Sequence, residues 1–175
     1  MSRRFRGEYT FKVDNKGRVS IPALFRRVLE AGDPDYTEGL RPQLVIVYGD
    51  EDQDYLEAYT ITEIDKLEAK IESLPSSPLK RKLVRQITTR SHHTEVDPDG
   101  RLVLPARYRD KIGLEGEALF VGTSGTFQIW NPDTYDSHLA EEGDEDLGFD
   151  LPEGTNALDA LDLVLSKRNT DGAGG

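Results

Sequence analysis

The chain has 175 residues, of which 36% are hydrophobic and 31% charged, so its length suits one domain or two small related halves. It contains no cysteine, which excludes disulfide scaffolds, zinc–thiolate sites, iron–sulfur clusters and cysteine nucleophiles. The formal net charge of -11 excludes a uniformly basic protein that coats DNA.

Charge is unevenly distributed along the chain. Residues 1–30 carry eight Lys or Arg and three Asp or Glu, and residues 79–111 carry nine and four. Residues 33–72 and 133–175 are strongly acidic. Two basic segments of similar size indicate more about partners than the overall charge does, although chance clustering on a solvated surface would give the same counts.

The two basic segments contain the same motif. Residues 14–29 and 97–112 align at an offset of 83 without gaps and share six identical positions. These are Asp14/Asp97, Gly17/Gly100, Arg18/Arg101, Pro22/Pro105, Ala23/Ala106 and Arg26/Arg109. The chain is therefore predicted to consist of two related halves.

Each motif predicts a turn, a strand and a helix in that order. Asp and Gly at the first and fourth positions favour a tight turn, and the next four residues, 18–21 and 101–104, favour a short strand. Pro22 and Pro105 suit the first position of a helix, where the missing N–H costs nothing. The buried face of the first helix is predicted to contain Leu24, Phe25, Val28 and Leu29.

The remainder of each half also repeats. Two further strands are predicted in each half, at 44–48 and 58–61 in the first and at 118–121 and 127–130 in the second. Thr62 is predicted to cap a helix over 63–72, and Asn131–Pro132 to begin its counterpart. Between the halves, Ser77–Pro78 is predicted to begin one basic helix with a stripe formed by Leu79, Leu83 and Ile87.

Each half is thus predicted to run strand, turn, strand, short helix, strand, strand, helix, and this order predicts an α+β fold that is mainly β with short helices. A single half has too few apolar residues to fold alone, so we expect two halves that interleave their strands around one core. The predicted segments are a first repeat at 5–76, a basic linking helix at 77–90, a second repeat at 91–140 and an acidic, partly mobile extension at 141–175. Within that extension, Asn156 is predicted to cap a helix over 157–165.

The doubled Asp-x-x-Gly-Arg-x-x-x-Pro motif, the basic helix and the opening residues 5–9 resemble the MraZ family of bacterial transcriptional regulators over about residues 5–140. One copy alone would indicate only the wider AbrB-like class. The resemblance implies a double swapped-hairpin β-barrel that assembles into a homo-oligomeric ring and needs no cofactor. It also implies binding to double-stranded DNA at direct repeats in the promoter of the division and cell-wall gene cluster, usually as a repressor, and hence a nucleoid-associated protein.

On this sequence the resemblance assigns DNA contacts to Lys16, Gly17, Arg18, Gly100 and Arg101, with Asp14 and Asp97 supporting the turns. A glycine turn lets backbone N–H groups approach a phosphate, and an arginine beside it can reach a phosphate or the edge of guanine. The alternative is that each arginine only braces its turn by pairing with the aspartate. The second repeat has Pro98–Asp99 where the first has Asn15–Lys16, which argues against equal DNA contacts.

Other constellations predict no chemistry. His92 and His93 are adjacent on a predicted strand and so point to opposite faces, which disfavours a shared metal ion. P-loops, serine nucleophile elbows and dinucleotide fingerprints are absent from the sequence, so we expect no catalytic residue and no small-molecule substrate.

No apolar run approaches the roughly 20 residues of a membrane-spanning helix, and no apolar signal segment follows the charged start, so we expect a soluble cytoplasmic protein. Two other functions fit the sequence. One is an antitoxin-type DNA-binding protein with a C-terminal partner-binding arm, and the other is a scaffold whose basic turns meet an acidic protein. The doubled motif argues against the antitoxin, because antitoxins of the wider class usually carry one copy.

Overall fold

The structure is a computed structural model that describes residues 3–143 and 146–172. The chain divides into two compact units, 1–136 and 137–175. Parts of the predicted acidic extension, residues 144, 145 and 173–175, lie outside the described residues. No helix in the described ranges combines the length and the apolar character needed to cross a membrane.

The elements of the first half are β1 (Glu8–Lys12), β2 (Arg18–Ser20), α1 (Ala23–Ala31), β3 (Gln43–Val47), β4 (Tyr55–Thr60) and α2 (Ile61–Glu72). The linking segment consists of α3 (Pro78–Val84) and a π-helical turn (Arg85–Thr89). The second half contains β5 (Ser91–Glu95), β6 (Arg101–Val103), α4 (Ala106–Ile112), β7 (Glu117–Thr123), β8 (Thr126–Trp130) and α5 (Pro132–Glu142). Both halves thus have the predicted order: strand, turn, strand, short helix, strand, strand, helix.

The two halves interleave their strands. The larger sheet has six antiparallel strands in the order β1-β7-β8-β4-β3-β5, which reads the same from either edge when the two halves are exchanged. The first strand of each half pairs with the third strand of the other half, so that Thr10 lies opposite Leu119 and His93 lies opposite Val45. The fourth strands, β4 and β8, pair with each other in the middle.

The remaining strands, β2 and β6, pair with each other as a separate two-stranded ribbon. The described strands therefore form an open sheet and a ribbon, and a closed barrel is not detected among them. The architecture is α+β with mostly antiparallel strands. The family resemblance also implied a closed barrel, and the described strand pairings do not form one.

One core lies between these elements and contains residues from both halves. Phe5, Phe25, Phe120 and Phe127 are fully buried, and the rings of Phe5 and Phe25 lie 5.0 and 5.1 Å from the ring of Phe127. Full burial of a single phenylalanine contributes about 1.5–3 kcal/mol. Because the aromatic cluster draws on both repeats, neither half could retain it alone.

The start of α2 differs from the prediction. The N-cap is Thr60, whose Oγ1 accepts a hydrogen bond from the backbone N–H of Glu63 at 3.1 Å. The hydroxyl of Thr62, the predicted cap, instead donates to the carbonyl of Gly32 at 3.0 Å. The reason is that β4 runs directly into α2, so the extended residue at the strand end already has the conformation that an N-cap requires.

Two predicted apolar faces are also narrower than expected. In α1, Phe25, Val28 and Leu29 are buried, but Leu24 is 56% exposed because the helix turns it away from the core. The linking segment begins at the predicted cap, Ser77, but changes from α to π geometry at Arg85. Leu79, predicted to lie in its apolar stripe, is largely exposed.

The second unit contains one further helix, α6 (Ala157–Asp171). The predicted cap is confirmed, since the side chain of Asn156 accepts a hydrogen bond from the backbone N–H of Asp159 at 2.9 Å. The helix continues six residues beyond the predicted end. Its leucines Leu158, Leu161 and Leu165 are exposed.

Candidate nucleic-acid interface

The ribbon formed by β2 and β6 carries the two predicted turns. Val19 pairs with Leu102 and both are buried, so the alternate residues of the ribbon face outward. Arg101 lies opposite Ser20, two residues along from Arg18, on the outward face. Such diagonal neighbours are about 7–8 Å apart in an antiparallel pair. The two motif arginines therefore share one exposed surface, although their turns lie at opposite ends of the ribbon.

In the first turn, Asp14 organises the backbone. Its Oδ1 accepts hydrogen bonds from the backbone N–H groups of Lys16 and Arg18, both at 2.9 Å, and its Oδ2 accepts from Nε of Arg18 at 2.6 Å. The backbone N–H of Gly17 donates to the carbonyl of Asp14 at 3.0 Å, which closes the turn. Gly17 has φ +80°, a left-handed conformation that favours glycine.

The second turn repeats this arrangement. Asp97 Oδ1 accepts from the backbone N–H groups of Asp99 at 2.9 Å and Arg101 at 2.8 Å, and Oδ2 accepts from Arg101 Nε at 3.1 Å. The N–H of Gly100, at φ +75°, donates to the carbonyl of Asp97 at 3.0 Å. One contact has no counterpart in the first turn, because Arg101 Nη2 also donates to Asp99 Oδ2 at 3.1 Å.

The same contacts lower the pKa of both supporting aspartates. The pKa of the Asp14 carboxyl is lowered mainly by the hydrogen bond from the backbone of Arg18, with further contributions from the Arg18 side chain and the backbone of Lys16. For Asp97, partial burial acts to raise the pKa, but the hydrogen bonds and the charge of Arg101 outweigh it and the pKa is lowered. Both carboxylates are therefore ionised at neutral pH.

The motif arginines are braced but not enclosed. The side chain of Arg18 is 37% exposed and that of Arg101 32% exposed. Arg18 uses only Nε for its aspartate, and its Nη atoms make no hydrogen bond to residues 3–143 or 146–172. The bracing role that sequence analysis left as the alternative is thus present, and it coexists with a guanidinium edge that faces solvent.

The two turns differ in charge. The first contains Asp14, Lys16 and Arg18, with Lys16 exposed, and has a surplus of one positive charge. The second contains Asp97, Asp99 and Arg101 and has a surplus of one negative charge. The first turn is therefore better suited than the second to approach a polyanion.

Two further residues contact the turns, and sequence analysis identified them only as identical positions of the repeated motif. They are Arg26 on α1 and Arg109 on α4. A Cβ atom added to Gly17 would lie 2.9 Å from Arg109 Nε, and one added to Gly100 would lie 2.0 Å from Arg26 Nη1. Each helix arginine thus covers the glycine of the other repeat. The sequence signal that could have identified them is that both are arginines at equivalent positions of the repeated motif.

A second group of cations, near β3 and α4, is engaged by neighbouring side chains and carbonyl groups of the protein. Arg90 forms an ion pair with Asp50, and Lys111 Nζ donates to the carbonyl of Gln53 at 2.6 Å. Burial lowers the pKa of Lys111. Arg107 lies 5.0 Å from the ring centroid of Tyr108. These internal contacts distinguish the group from the outward edge of Arg18.

The adjacent histidines have separate environments. His93 Nε2 lies 2.6 Å from Gln43 Oε1, whereas the ring of His92 is 5.6 Å from the ring of Tyr108. Burial is the main cause that lowers the pKa of His92. Over the described residues, no three His, Cys, Asp or Glu side chains are grouped so that they could hold a metal ion.

The fold and the site together define a class: a two-repeat α+β protein whose interleaved halves present a pair of glycine–arginine turns on one ribbon. A family model described as "MraZ protein, putative antitoxin-like" matches residues 87–150. The Transcriptional regulator MraZ of Ruegeria pomeroyi is 53% identical over 163 residues, which cover 93% of this chain and 97% of the relative.

More distant relatives carry the same name. The protein from Cereibacter sphaeroides is 49% identical over 170 residues, covering 93% of this chain and 98% of its own. That from Acetivibrio thermocellus is 34% identical over 139 residues, covering 79% and 88%. The chain belongs to the MraZ family of transcriptional regulators. The family resemblance inferred from the doubled motif is thereby confirmed.

Proposed function

We propose that this chain is a sequence-specific DNA-binding regulator whose β2–β6 ribbon contacts double-stranded DNA. Lys16 and Arg18 form the stronger contact in this proposal, and Arg101 the weaker one. Gly17 and Gly100 are buried and use their N–H groups to close the turns, so they shape the ribbon and do not contact DNA themselves. The observation that carries it is the pair of glycine–arginine turns on one exposed ribbon, with the Nη atoms of Arg18 making no hydrogen bond to the described residues.

The brace on Arg18 favours such a contact. Because Asp14 holds Nε, the planar guanidinium has a restricted orientation, and less conformational entropy is lost when its outer edge binds. Two parallel hydrogen bonds from this edge fit the O6 and N7 atoms of guanine or two oxygens of a phosphate. Lys16 supplies a point charge for a neighbouring phosphate.

We further propose that the interleaved halves are swapped hairpins and that several copies assemble into a ring. One ribbon neutralises few phosphates, so a single subunit binds DNA weakly at physiological salt. A ring that presents the same ribbon repeatedly would bind direct repeats with much greater avidity. The family resemblance supports the promoter of the division and cell-wall gene cluster as the target, repression as the outcome and the nucleoid as the location.

A gel-shift titration with DNA from upstream of the protein's own gene, and with the same DNA scrambled, tests the proposal. We expect Arg18→Ala to weaken binding to the promoter DNA about 5- to 150-fold, because loss of one bidentate contact costs about 1–3 kcal/mol. Arg41→Ala is the matched control, since it removes the same charge from an ion pair with Glu95 outside the ribbon.

Light scattering and thermal unfolding of both variants show whether assembly and fold are retained. Undiminished promoter binding by a folded Arg18→Ala protein would refute the assignment of the site. Equal affinity of the unchanged protein for promoter and scrambled DNA would refute sequence-specific binding. Binding should also weaken steeply with salt, with a slope of about -0.9 per phosphate contact.

An antitoxin-type protein is the second candidate, and one observation favours it. Helix α6 exposes Leu158, Leu161 and Leu165, the kind of apolar residues that a partner-binding arm would present. This role predicts a toxin that co-purifies in fixed stoichiometry and is lost when residues 141–175 are deleted. Promoter binding that needs no such partner would favour the regulator alone.

A further inference from the structure

The helix arginines of each repeat connect it to the turn of the other. Arg109 Nε donates to the carbonyl of Leu104 at 2.9 Å, and the backbone N–H of Leu104 donates to the carbonyl of Gly17 at 2.8 Å. The second repeat therefore holds the first turn through two consecutive hydrogen bonds. The missing side chain of Gly17 provides the space in which the Arg109 guanidinium lies.

The reciprocal contact has the same partners but weaker hydrogen bonding. The N–H of Ile21 donates to the carbonyl of Gly100 at 3.0 Å, and the Arg26 guanidinium occupies the space beside Gly100. Arg26 Nε is buried and has no hydrogen-bond partner in the described part of the chain. Packing over Gly100, rather than a hydrogen bond from Nε, therefore accounts for the position of Arg26.

We propose that Arg109 and Arg26 are positioning residues for DNA binding that act across the repeats, Arg109 on the Arg18 turn and Arg26 on the Arg101 turn. The inference rests on the proposed function, since it concerns the orientation of the arginines assigned to DNA. It assigns each helix arginine to the turn that is distant in sequence, not to the turn that precedes it by a few residues.

The physical basis is restriction of the turn. Arg109 contacts both Gly17 and Leu104, the residue after β6 that is hydrogen-bonded to Gly17. Loss of Arg109 therefore frees the turn from which the Arg18 side chain projects. Arg18 then samples more orientations, and fewer of them place two N–H groups against one base or phosphate. Because Nε of Arg109 points to the ribbon backbone, its role is to orient Arg18 and not to replace it.

Double-mutant cycles on promoter binding test this assignment. We expect Arg109→Ala to weaken binding about tenfold by itself, equivalent to about 1.4 kcal/mol. In an Arg18→Ala protein the same substitution should have little further effect, because the contact it positions is already gone. In an Arg101→Ala protein, the fold-changes in binding caused by Arg101→Ala and Arg109→Ala should multiply.

Arg26→Ala should show the opposite pattern. In the Arg101→Ala protein, Arg26→Ala should weaken promoter binding little further. In the Arg18→Ala protein, the fold-changes of the two substitutions should multiply. Arg27→Ala, which removes a charge from the neighbouring exposed residue of the same helix, is the matched control, and any loss it causes should multiply with both. A purely structural role of Arg26 and Arg109 would lower the unfolding midpoint without producing this crossed pattern.

Lysine variants separate positioning from charge and keep the test valid if an alanine variant does not fold. Arg109→Lys keeps the positive charge but lacks the Nε donor, so it should bind as weakly as Arg109→Ala. Full rescue by lysine would overturn the inference, because it would identify Arg109 as a simple phosphate contact. The double-mutant cycles with Arg18→Ala and Arg101→Ala are then measured with Arg109→Lys in place of Arg109→Ala.

The two proposals fail in different ways. If the unchanged protein binds promoter and scrambled DNA equally, the proposed function fails first. The proposed function stands and the crossed assignment is wrong if Arg18→Ala weakens specific binding and the effect of Arg109→Ala multiplies with it. The same conclusion follows if Arg26 is coupled to Arg18 instead.

Discussion

The two glycine–arginine turns have the same backbone and different surfaces. Asp14 and Asp97 accept equivalent hydrogen bonds from two backbone N–H groups and one guanidinium, and the glycines have nearly the same φ, +80° and +75°. At the third position of the turn, however, Lys16 in one repeat corresponds to Asp99 in the other. Side chains that point into the turn set its shape, whereas the outward position is free to change its charge.

This difference shows how a repeat protein can vary one copy of a site without losing the fold. Lys16 is exposed, and its only described contact with the turn is made by its backbone N–H. Asp99 uses its backbone N–H in the same way, and only its side chain adds a contact to Arg101. A change at this position therefore alters the electrostatics of the ribbon and leaves the aspartate-centred hydrogen bonds in place.

The largest expected effect concerns the two glycines. A Cβ on Gly17 would lie 2.3 Å from the backbone oxygen of Leu104, which cannot move away, whereas a Cβ on Gly100 would meet the end of the flexible Arg26 side chain. Since a left-handed residue costs about 1–2 kcal/mol, we expect Gly100→Ala to cost about 2 kcal/mol and Gly17→Ala about 3 or more.

Denaturant unfolding at one fixed protein concentration measures both values. Gly39→Ala is the matched control, because Gly39 has φ +93° and no atom within 4 Å of an added Cβ. It should show the conformational cost alone. Equal destabilisation at Gly17 and Gly39 would contradict the close approach of the two strands at the first turn.

A smaller effect is expected from exchanging the charge of the second turn. The Asp99 side chain is 75% exposed, so its pair with Arg101 contributes little stability and can be lost without unfolding. Asp99→Lys should strengthen promoter binding by about three- to tenfold at low salt, because it adds a cation where the first turn has one. The salt dependence should become steeper by about one phosphate contact.

Asp52→Lys makes the same change of charge in the loop between β3 and β4 and serves as the control. Filter binding at several salt concentrations distinguishes the two variants. If both strengthen binding equally, the gain reflects overall charge, and the second turn does not approach DNA.

Sequence reasoning reached the order of elements and the interleaving of the halves, because both follow from local signals. The 83-residue offset, the apolar spacing of each strand and the scarcity of apolar residues per half need no tertiary information. Where tertiary structure intervenes, the prediction fails: Thr60 and not Thr62 caps α2, since β4 enters the helix without a loop. The change to π geometry at Arg85 has no sequence signal that we identified.

The candidate site was predicted in its residues but not in its connections. Asp14 and Arg18 are close in sequence, so their pairing could be stated as an alternative before the structure was known. The contact of Arg109 with the first turn depends on the pairing of β2 with β6, which brings Leu104 to Gly17. A contact of this kind, between residues about ninety positions apart, cannot follow from local propensity.

The smallest effect expected is the acid sensitivity of the two turns. Both supporting aspartates have a pKa below the ordinary value of 3.8 in the folded protein, Asp14 mainly through the backbone hydrogen bond from Arg18 and Asp97 through Arg101 against the effect of burial. Their contribution to stability is therefore complete above pH 3.8 and is lost as the pH falls from there through the folded pKa.

Asp14→Asn and Asp97→Asn each keep an oxygen for the backbone N–H groups and remove the titration. Unfolding free energies measured by denaturant from neutral to strongly acidic pH should fall less steeply below pH 3.8 in either variant than in the unchanged protein. Identical acid slopes in all three proteins would show that folding does not favour the ionised form of either carboxyl group, and the shared electrostatic brace of the two turns would have to be abandoned.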